Sequence, residues 1–370
     1  MKEKQTKSSI FFGIFILAGT IIGAGIFSLP YVFRKIGLFN GFFYLIFFTF
    51  IYFFLHLMYG ELLKINKNHY QFFNLAKKYL PSFISLPAAL IILGELVFTL
   101  VVYLILAPVF GQLIFKIDKN ILLLIFWFLG SIFIFAKLFW LEISEFFGVG
   151  SIFLILGLII FLGLNRPFQV PLWKSFQWST FFLPFGPLLF SLAGRPAISK
   201  IIESFSNQEK IPLTKIIFLG TALPAFVYFI FVLGVLRLNP YVSPEAFNSL
   251  GFLSPLALIL LGAMGLLAIW TSYFILGLNL KETLISDLHF SPFLSALFVL
   301  FVPLFLYFIG LKNFLGVISW VGNVFLALEA IFIMTMWRRA FPDDKRRLIV
   351  LPLYFVFILA FVYEILVFIS

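Results

Sequence analysis

Three ionisable residues lie inside long apolar stretches of this sequence, namely Glu95, Arg195 and Glu329. Within a membrane such groups are costly, so by default they mark functional sites. The two carboxyls could carry protons, or they could neutralise Arg195 in a buried ion pair. Arg195 could instead bind the carboxylate of a substrate through its planar guanidinium group. His56, in another apolar stretch, is predicted to be a packed, hydrogen-bonded residue.

These residue types do not form a catalytic or metal-binding pattern. The histidines, His56, His69 and His289, are scattered, and no two of them have the spacing of metal ligands. The sequence contains no cysteine, which excludes disulfides and thiolate chemistry. It also lacks the G-x-x-x-x-G-K-S/T loop that a nucleotide-driven pump would need. We therefore expect no enzyme, no nucleotide-driven pump and no organic cofactor.

The composition indicates an all-α polytopic membrane protein. Of the 370 residues, 63% are hydrophobic and only 11% are charged, and the mean hydropathy is +1.14. A soluble domain of this size could not bury so much apolar surface. The apolar runs also lack the alternation that a membrane β-barrel requires. We expect one transmembrane domain over residues 1–370.

The apolar stretches divide into eleven predicted membrane spans. Several exceed the ~20 residues needed to cross, which allows for tilt or interruption. They occupy residues 9–33, 38–63, 83–114, 121–139, 144–164, 179–204, 212–236, 253–284, 292–310, 314–337 and 348–369.

The distribution of basic residues orients these spans. With the amino terminus in the cytoplasm, the cytoplasmic segments hold roughly twice as many lysines and arginines as the outer segments, which satisfies the positive-inside rule. An odd number of spans then places the carboxyl terminus outside. The basic residues of the cytoplasmic segments account for the net charge of +11. Nucleic acid is therefore not an expected partner. The expected location is the plasma membrane of a prokaryote.

Two of the spans carry residues that interrupt a helix. The first contains LAGTIIGAGIFSLP, residues 17–30, and the sixth contains LPFGPLLFSLAGRPAIS, residues 183–199. Interruptions five spans apart fall in halves of opposite orientation, as in inverted-repeat transporters whose site lies where the broken helices meet. The amides freed at a break suit a carboxylate, and the freed carbonyls suit a small cation. Proline kinks with close glycine packing are the alternative explanation.

Four further observations come from the stretches GTIIGAGIFSLP (19–30), MYGELLKINKNHYQFFNLAKKYL (58–80), LLFSLAGRPAISKI (188–201) and TSYFILGLNLKETLISDL (271–288). All four resemble the amino acid/polyamine/organocation transporters, which have the LeuT-like fold. Within that superfamily the chain is most similar to the aromatic and neutral amino acid permeases. The resemblance implies an inverted repeat of five plus five helices, over residues 9–164 and 179–337. The first and sixth helices would be discontinuous, and one extra helix would follow at 348–369.

The same resemblance implies a secondary active transporter, a permease or symporter, for neutral or aromatic amino acids. It would work by alternating access in the lipid bilayer. Coupling would be to Na⁺ or H⁺, and the substrate would be the small-molecule partner. The alternative is an amino acid sensor on the same fold, which would bind its ligand with little transport.

The resemblance also assigns roles to individual residues. Substrate would be bound at Thr20, Gly23, Ala24, Gly25, Tyr103, Ser191, Gly194 and Arg195. A sodium ion would be held by the carbonyls of Gly19, Ile22 and Ala268 and by the hydroxyls of Thr271 and Ser272. The two hydroxyls could instead bond back to their own helix. Glu95 and Glu329 are the candidates for moving protons or balancing charge.

Overall fold

The computed structural model describes residues 2–66, 72–134, 139–175, 177–205, 212–248 and 250–369, with the side chains of 2–9 and 139–146 left aside. All regular structure within these ranges is helical, which confirms the all-α part of the predicted fold class. The helices are α1 (Lys2–Ile21), α2 (Leu29–Ile36), α3 (Leu38–Ile65), α4 (Phe72–Tyr79), α5 (Ser82–Ile114), α6 (Lys119–Phe133), α7 (Phe139–Gly163), α8 (Trp178–Phe181), α9 (Phe185–Leu192), α10 (Arg195–Ser204), α11 (Leu213–Leu238), α12 (Pro255–Leu288), α13 (Pro292–Phe308), α14 (Phe314–Trp320), α15 (Ala327–Ala340) and α16 (Arg347–Ile369). A 3-10 turn (Ala24–Ser28) separates α1 from α2, and a π-helix (Val321–Leu326) joins α14 to α15.

Seven helical segments of the described chain are long and apolar enough to cross a membrane. An eighth forms if the bent pair Ile10–Ile21 and Ala24–Ile36, which meet at 48°, counts as one span. Three shorter apolar helices, Lys119–Phe133, Phe147–Gly163 and Pro292–Phe308, lie where the fourth, fifth and ninth spans are predicted. Part of the predicted fourth span, at 135–138, lies outside the described residues. The count of eleven and the five-plus-five layout stay predictions.

Polar caps and prolines set several helix starts. The side chains of Asp118, Ser254, Ser291 and Asn313 accept hydrogen bonds from amides in the first turns of α6, α12, α13 and α14. Pro255 and Pro292 occupy the first helical positions, where the missing amide costs nothing. The starting points of these helices are therefore determined by residues next to them in the sequence.

Both predicted interruptions are present. The first α-helical run ends at Ile21, Gly23 is extended, and the chain continues through the 3-10 turn Ala24–Ser28. The second break comprises Ala193 and Gly194, between α9 and α10. The breaks lie against each other, because a Cβ atom built on Gly25 would be 2.7 Å from Cα of Ser191. Glycine is needed at position 25 for this close approach.

The predicted tenth span, 314–337, is helical throughout but is not a regular α-helix. Its central π-helix, Val321–Leu326, lies against α9, and a Cβ atom on Gly322 would be 2.7 Å from Cα of Gly186. Asn323 of the π-helix donates from Nδ2 to Oε2 of Glu364 on α16 at 2.8 Å. This bond ties the last helix to the middle of the tenth predicted span.

Candidate substrate-binding site

A cavity of about 100 Å³ with charged side chains on its wall lies beside the contact between the two breaks. Its walls come from both broken spans and from α3, α5, α12 and α15. It is lined by Thr20, Tyr52, Leu55, His56, Tyr59, Glu95, Leu96, Thr99, Tyr103, Phe190, Ala193, Gly194, Arg195, Pro196, Leu276, Leu326, Glu329 and Ile333. The cavity thus gathers both predicted carboxyls and four of the eight residues predicted to bind substrate, which are Thr20, Tyr103, Gly194 and Arg195.

The three ionisable residues form one cluster in this cavity. Nε of Arg195 lies 2.5 Å from Oε1 of Glu329, and one terminal nitrogen of the guanidinium lies 3.5 Å from Oε2 of Glu95. The side chains are about nine-tenths buried, with exposed fractions of 15% for Arg195, 13% for Glu95 and 5% for Glu329. Arg195 also lies over the ring of Phe72, 5.4 Å from its centroid. The structure therefore favours ion pairing for Arg195 over a guanidinium that is free for substrate.

With both carboxyls ionised, the cluster would hold two negative charges and one positive charge. Glu95 and Glu329 contact each other as well as Arg195, and the buried Oε2 of Glu329 receives no hydrogen bond from the described residues. Two carboxyls in contact repel each other unless a proton lies between them. A second positive charge, carried by a proton or another cation, would balance the cluster.

Tyrosine and histidine side chains complete the polar walls. Tyr52 donates to the Leu189 carbonyl at 2.6 Å, which links α3 to α9. His56 is 98% buried, and its Nδ1 lies 3.3 Å from Oγ1 of Thr221. His56 is thus a packed, hydrogen-bonded residue, as predicted.

Four other residues predicted to bind substrate lie at the contact between the breaks rather than on the cavity wall. These are Gly23, Ala24, Gly25 and Ser191. Ser191 already donates its hydroxyl proton to the Pro187 carbonyl at 2.6 Å. Tyr103 of α5 reaches this region, where its hydroxyl contacts the Ala24 backbone and the Ser272 side chain.

The residues predicted to bind sodium are only partly brought together. Oγ1 of Thr271 and Oγ of Ser272 both donate to the Ala268 carbonyl, at 3.0 and 3.1 Å. These bonds follow the alternative in which the hydroxyls bond back to their own helix. On the first span, Gly19 faces Val149 of α7, and the adjacent Gly148 faces Thr271. The Gly19 carbonyl therefore lies on α1, which shares the neighbour α7 with α12, whereas Ile22 follows the end of α1.

Four buried phenylalanines lie on the far side of the breaks from the charged cluster. The ring of Phe27, in the 3-10 turn, lies 5.1 Å from that of Phe110, 5.9 Å from that of Phe231 and 5.4 Å from that of Phe247. Phe247 comes from the loop between α11 and α12. Because all four side chains are at most 1% exposed, they seal one side of the site with apolar contacts.

Sequence reasoning missed several residues that shape this site. Tyr52, Tyr59 and Tyr228 are buried tyrosines within predicted spans, and Phe247 lies in a loop. A hydroxyl inside an apolar run was the available signal for the tyrosines, since buried hydroxyls usually need partners. No comparable signal marked Phe247.

Comparison with known proteins adds two findings to this geometry. A family model described as transmembrane amino acid transporter protein matches residues 6–367. Among solved structures, the chain is similar to the Eremococcus coleocola manganese transporter, crystallised with an aromatic bis-isothiourea substituted compound. The TM-score is 0.61 at 14% identity, over 99% of this chain and 87% of that one, so this likeness concerns the fold. A search of curated protein sequences gave no significant match.

Proposed function

This chain belongs to the transmembrane amino acid transporter protein family, and from that premise we propose that it is a secondary active transporter of neutral amino acids, aromatic ones included. The amino acid would occupy the cavity between the breaks and cross by alternating access. Neutral substrates are favoured over acidic ones because Arg195 is already paired with two carboxyls. A guanidinium held in this way has little capacity for a further carboxylate.

The Glu95–Arg195–Glu329 cluster is the observation that carries the proposal. It joins α5, α10 and α15 inside the cavity that both breaks border. Ionisable groups inside membrane spans are costly and commonly mark ion or proton pathways. Displacing Arg195 during a conformational change would change how strongly the carboxyls hold a proton.

The same cluster favours H⁺ over Na⁺ as the coupling ion. Two carboxyls in contact, with one unbonded oxygen on Glu329, suit a shared proton. The hydroxyls of Thr271 and Ser272, by contrast, are engaged with the Ala268 carbonyl. Their oxygen lone pairs stay available to a cation, so the preference for H⁺ rests on the two carboxyls and not on these bonds.

Uptake by proteoliposomes tests the proposal. Labelled leucine and tryptophan would be offered under an inward proton gradient and under an inward sodium gradient, at matched membrane potential. We expect uptake to follow the proton gradient. Glu329→Gln should abolish gradient-driven accumulation while retaining exchange of internal for external substrate, because exchange needs no net proton movement.

The paired variants Thr271→Ala and Ser272→Ala serve as the control for coupling. Proton-driven uptake should persist in both. Uptake that follows sodium and is lost in these two variants would reject proton coupling and favour the sodium site. Binding of an amino acid without transport under either gradient would reject the transporter in favour of a sensor.

A further inference from the structure

The hydroxyl of Tyr228 lies between the two helix breaks. Tyr228 is on α11, and its side chain is fully buried. Its Oη is 2.6 Å from the carbonyl oxygen of Ile21 and 2.7 Å from that of Ser191. Ile21 is the last residue of α1, and Ser191 is in the last turn of α9. A side chain from a third helix therefore reaches the ends of both broken helices.

Both acceptors are carbonyls that a helix end leaves unpaired. The last four carbonyls of an α-helix have no partner within the helix, and they carry the negative end of the helix dipole. A phenol has one proton to donate, so Tyr228 shares it between the Ile21 and Ser191 carbonyls. The positive hydrogen stabilises two like-signed helix ends that would otherwise repel each other.

The first break is bonded on two sides by different tyrosines. The Gly23 backbone also contacts the Tyr228 hydroxyl. Tyr103, on α5, instead contacts the Ala24 backbone and Ser272 of α12. Tyr228 thus joins one break to the other, whereas Tyr103 joins the first break to neighbouring helices.

We propose that Tyr228 is a positioning residue whose hydroxyl fixes the two helix breaks to each other, so that both halves of the site move as one body. Its consequence for transport rests on the proposed function, in which the site must pass intact between two orientations. The partly positive hydroxyl hydrogen takes the place between two carbonyl oxygens that a small cation could otherwise occupy. The link that the Tyr228 hydroxyl makes between the two breaks does not depend on substrate, so it can be tested without one.

Cysteine labelling in the cysteine-free chain provides that test. Ser28→Cys places a thiol in the fully buried 3-10 turn, and Ala296→Cys places one in α13, where Ala296 is 3% exposed. Each is combined with Tyr228→Phe, which removes only the hydroxyl. Because labelling follows the population of open states, the rate at position 28 should rise roughly tenfold or more when the shared hydrogen bond is lost. The rate at position 296 should stay within about twofold.

Tyr52→Phe is the matched control. Tyr52 is also buried and also donates to a carbonyl at 2.6 Å, but its acceptor is Leu189 within α9, away from the first break. Tyr52→Phe should leave the labelling rate at position 28 within about twofold of the rate in the parent. An unchanged rate at position 28 in Tyr228→Phe would overturn the proposal. Parallel increases at positions 28 and 296, or equal effects of both tyrosine variants, would also overturn it, because they indicate general loosening.

Transport kinetics give a second readout. With the amino acid that the parent chain takes up, Tyr228→Phe should raise KM roughly tenfold or more, since the two halves of the site no longer keep their spacing. An unchanged KM would remove the positioning role. If the parent takes up no amino acid, the proposed function fails while the labelling result still decides whether the tie exists.

Discussion

At the scale of single residues, Arg195 is the cation that allows two carboxyls to share one cavity. Its guanidinium lies 2.5 Å from Glu329 and 3.5 Å from Glu95, and all three side chains are largely buried. Removing one member of a buried ionic cluster leaves the others with uncompensated charge, which costs more than the pair contributes. The cluster should therefore tolerate balanced substitutions better than single ones.

A pair of variants tests this charge balance. Arg195→Leu alone should lower the free energy of unfolding by roughly 3–5 kcal/mol, because both carboxyls lose their cation. Adding Glu329→Gln should recover a large part of that loss, although neither protein should accumulate substrate. Thermal melting in detergent, monitored by tryptophan fluorescence, measures the stability of the single and the double variant. A double variant that melts no higher than Arg195→Leu would show that Arg195 acts by packing and not by charge.

The members of this cluster could be predicted from the sequence, but their arrangement could not. Glu95, Arg195 and Glu329 stand out because a charge inside an apolar run is rare. Pairing was one of the alternatives that the sequence left open, and the distances that decide it depend on how α5, α10 and α15 cross, which no local pattern encodes. Phe247 was missed because it is one of 56 phenylalanines. The hydroxyl of Tyr228 inside an apolar run was a signal, but it did not by itself identify the hydrogen-bond acceptors.

At the scale of helices, the two breaks are in direct packing contact. The 3-10 turn meets the end of α9 with no room for a side chain at position 25. The glycines and prolines at both breaks predicted where the helices stop, because these residues weaken or end helices. The π-helix at Val321–Leu326 was not predicted, since a π-helix is set by packing, here against Gly186.

Adding a single methyl group at the contact tests the role of the breaks. Gly25→Ala would put Cβ 2.7 Å from Cα of Ser191, so the backbones must separate. We expect uptake to fall by about tenfold or more, as displacement of a binding site by a fraction of an ångström or more is costly. Gly157→Ala on α7 is the control, because a Cβ atom there would meet nothing within 4 Å. Normal uptake by Gly25→Ala would show that the breaks can separate without harm to the site.

A polar cluster at one end of the membrane-spanning helices ties α3 to the end of α15 and to the loop before α16. Glu61 accepts two hydrogen bonds from Arg346, at 2.8 and 3.1 Å, and one from Nε1 of Trp337 at 2.8 Å. Arg346 also donates to Asp344, and these hydrogen bonds hold the pKa of that carboxyl below its usual range. Exposed ion pairs stabilise little singly, but a shared network of this kind restrains the helices that it joins.

At the scale of the whole molecule, the basic loop after α15 and the buried phenylalanine cluster lie toward opposite ends of the helices. The loop beside Arg338 and Arg339 is basic, and it adjoins the same ends of α3 and α15 as Glu61. The phenylalanine cluster lies beyond the breaks from the charged cavity. If the basic loops lie in the cytoplasm, as the positive-inside rule predicts, the sealed side would face outward and the charged cavity would lie nearer the cytoplasm.

Labelling of single cysteines in intact cells tests that orientation. Lys312 and Asp343 are exposed and lie on either side of the helical run Phe314–Ala340, which is long and apolar enough to cross. A membrane-impermeant maleimide should react with Lys312→Cys in intact cells, but with Asp343→Cys only after permeabilisation, because the basic loop stays in the cytoplasm. The reverse pattern would invert the molecule and place the charged cavity toward the outside. Reaction of both in intact cells would show that the run containing the π-helix does not cross, which would remove the inverted repeat on which alternating access depends.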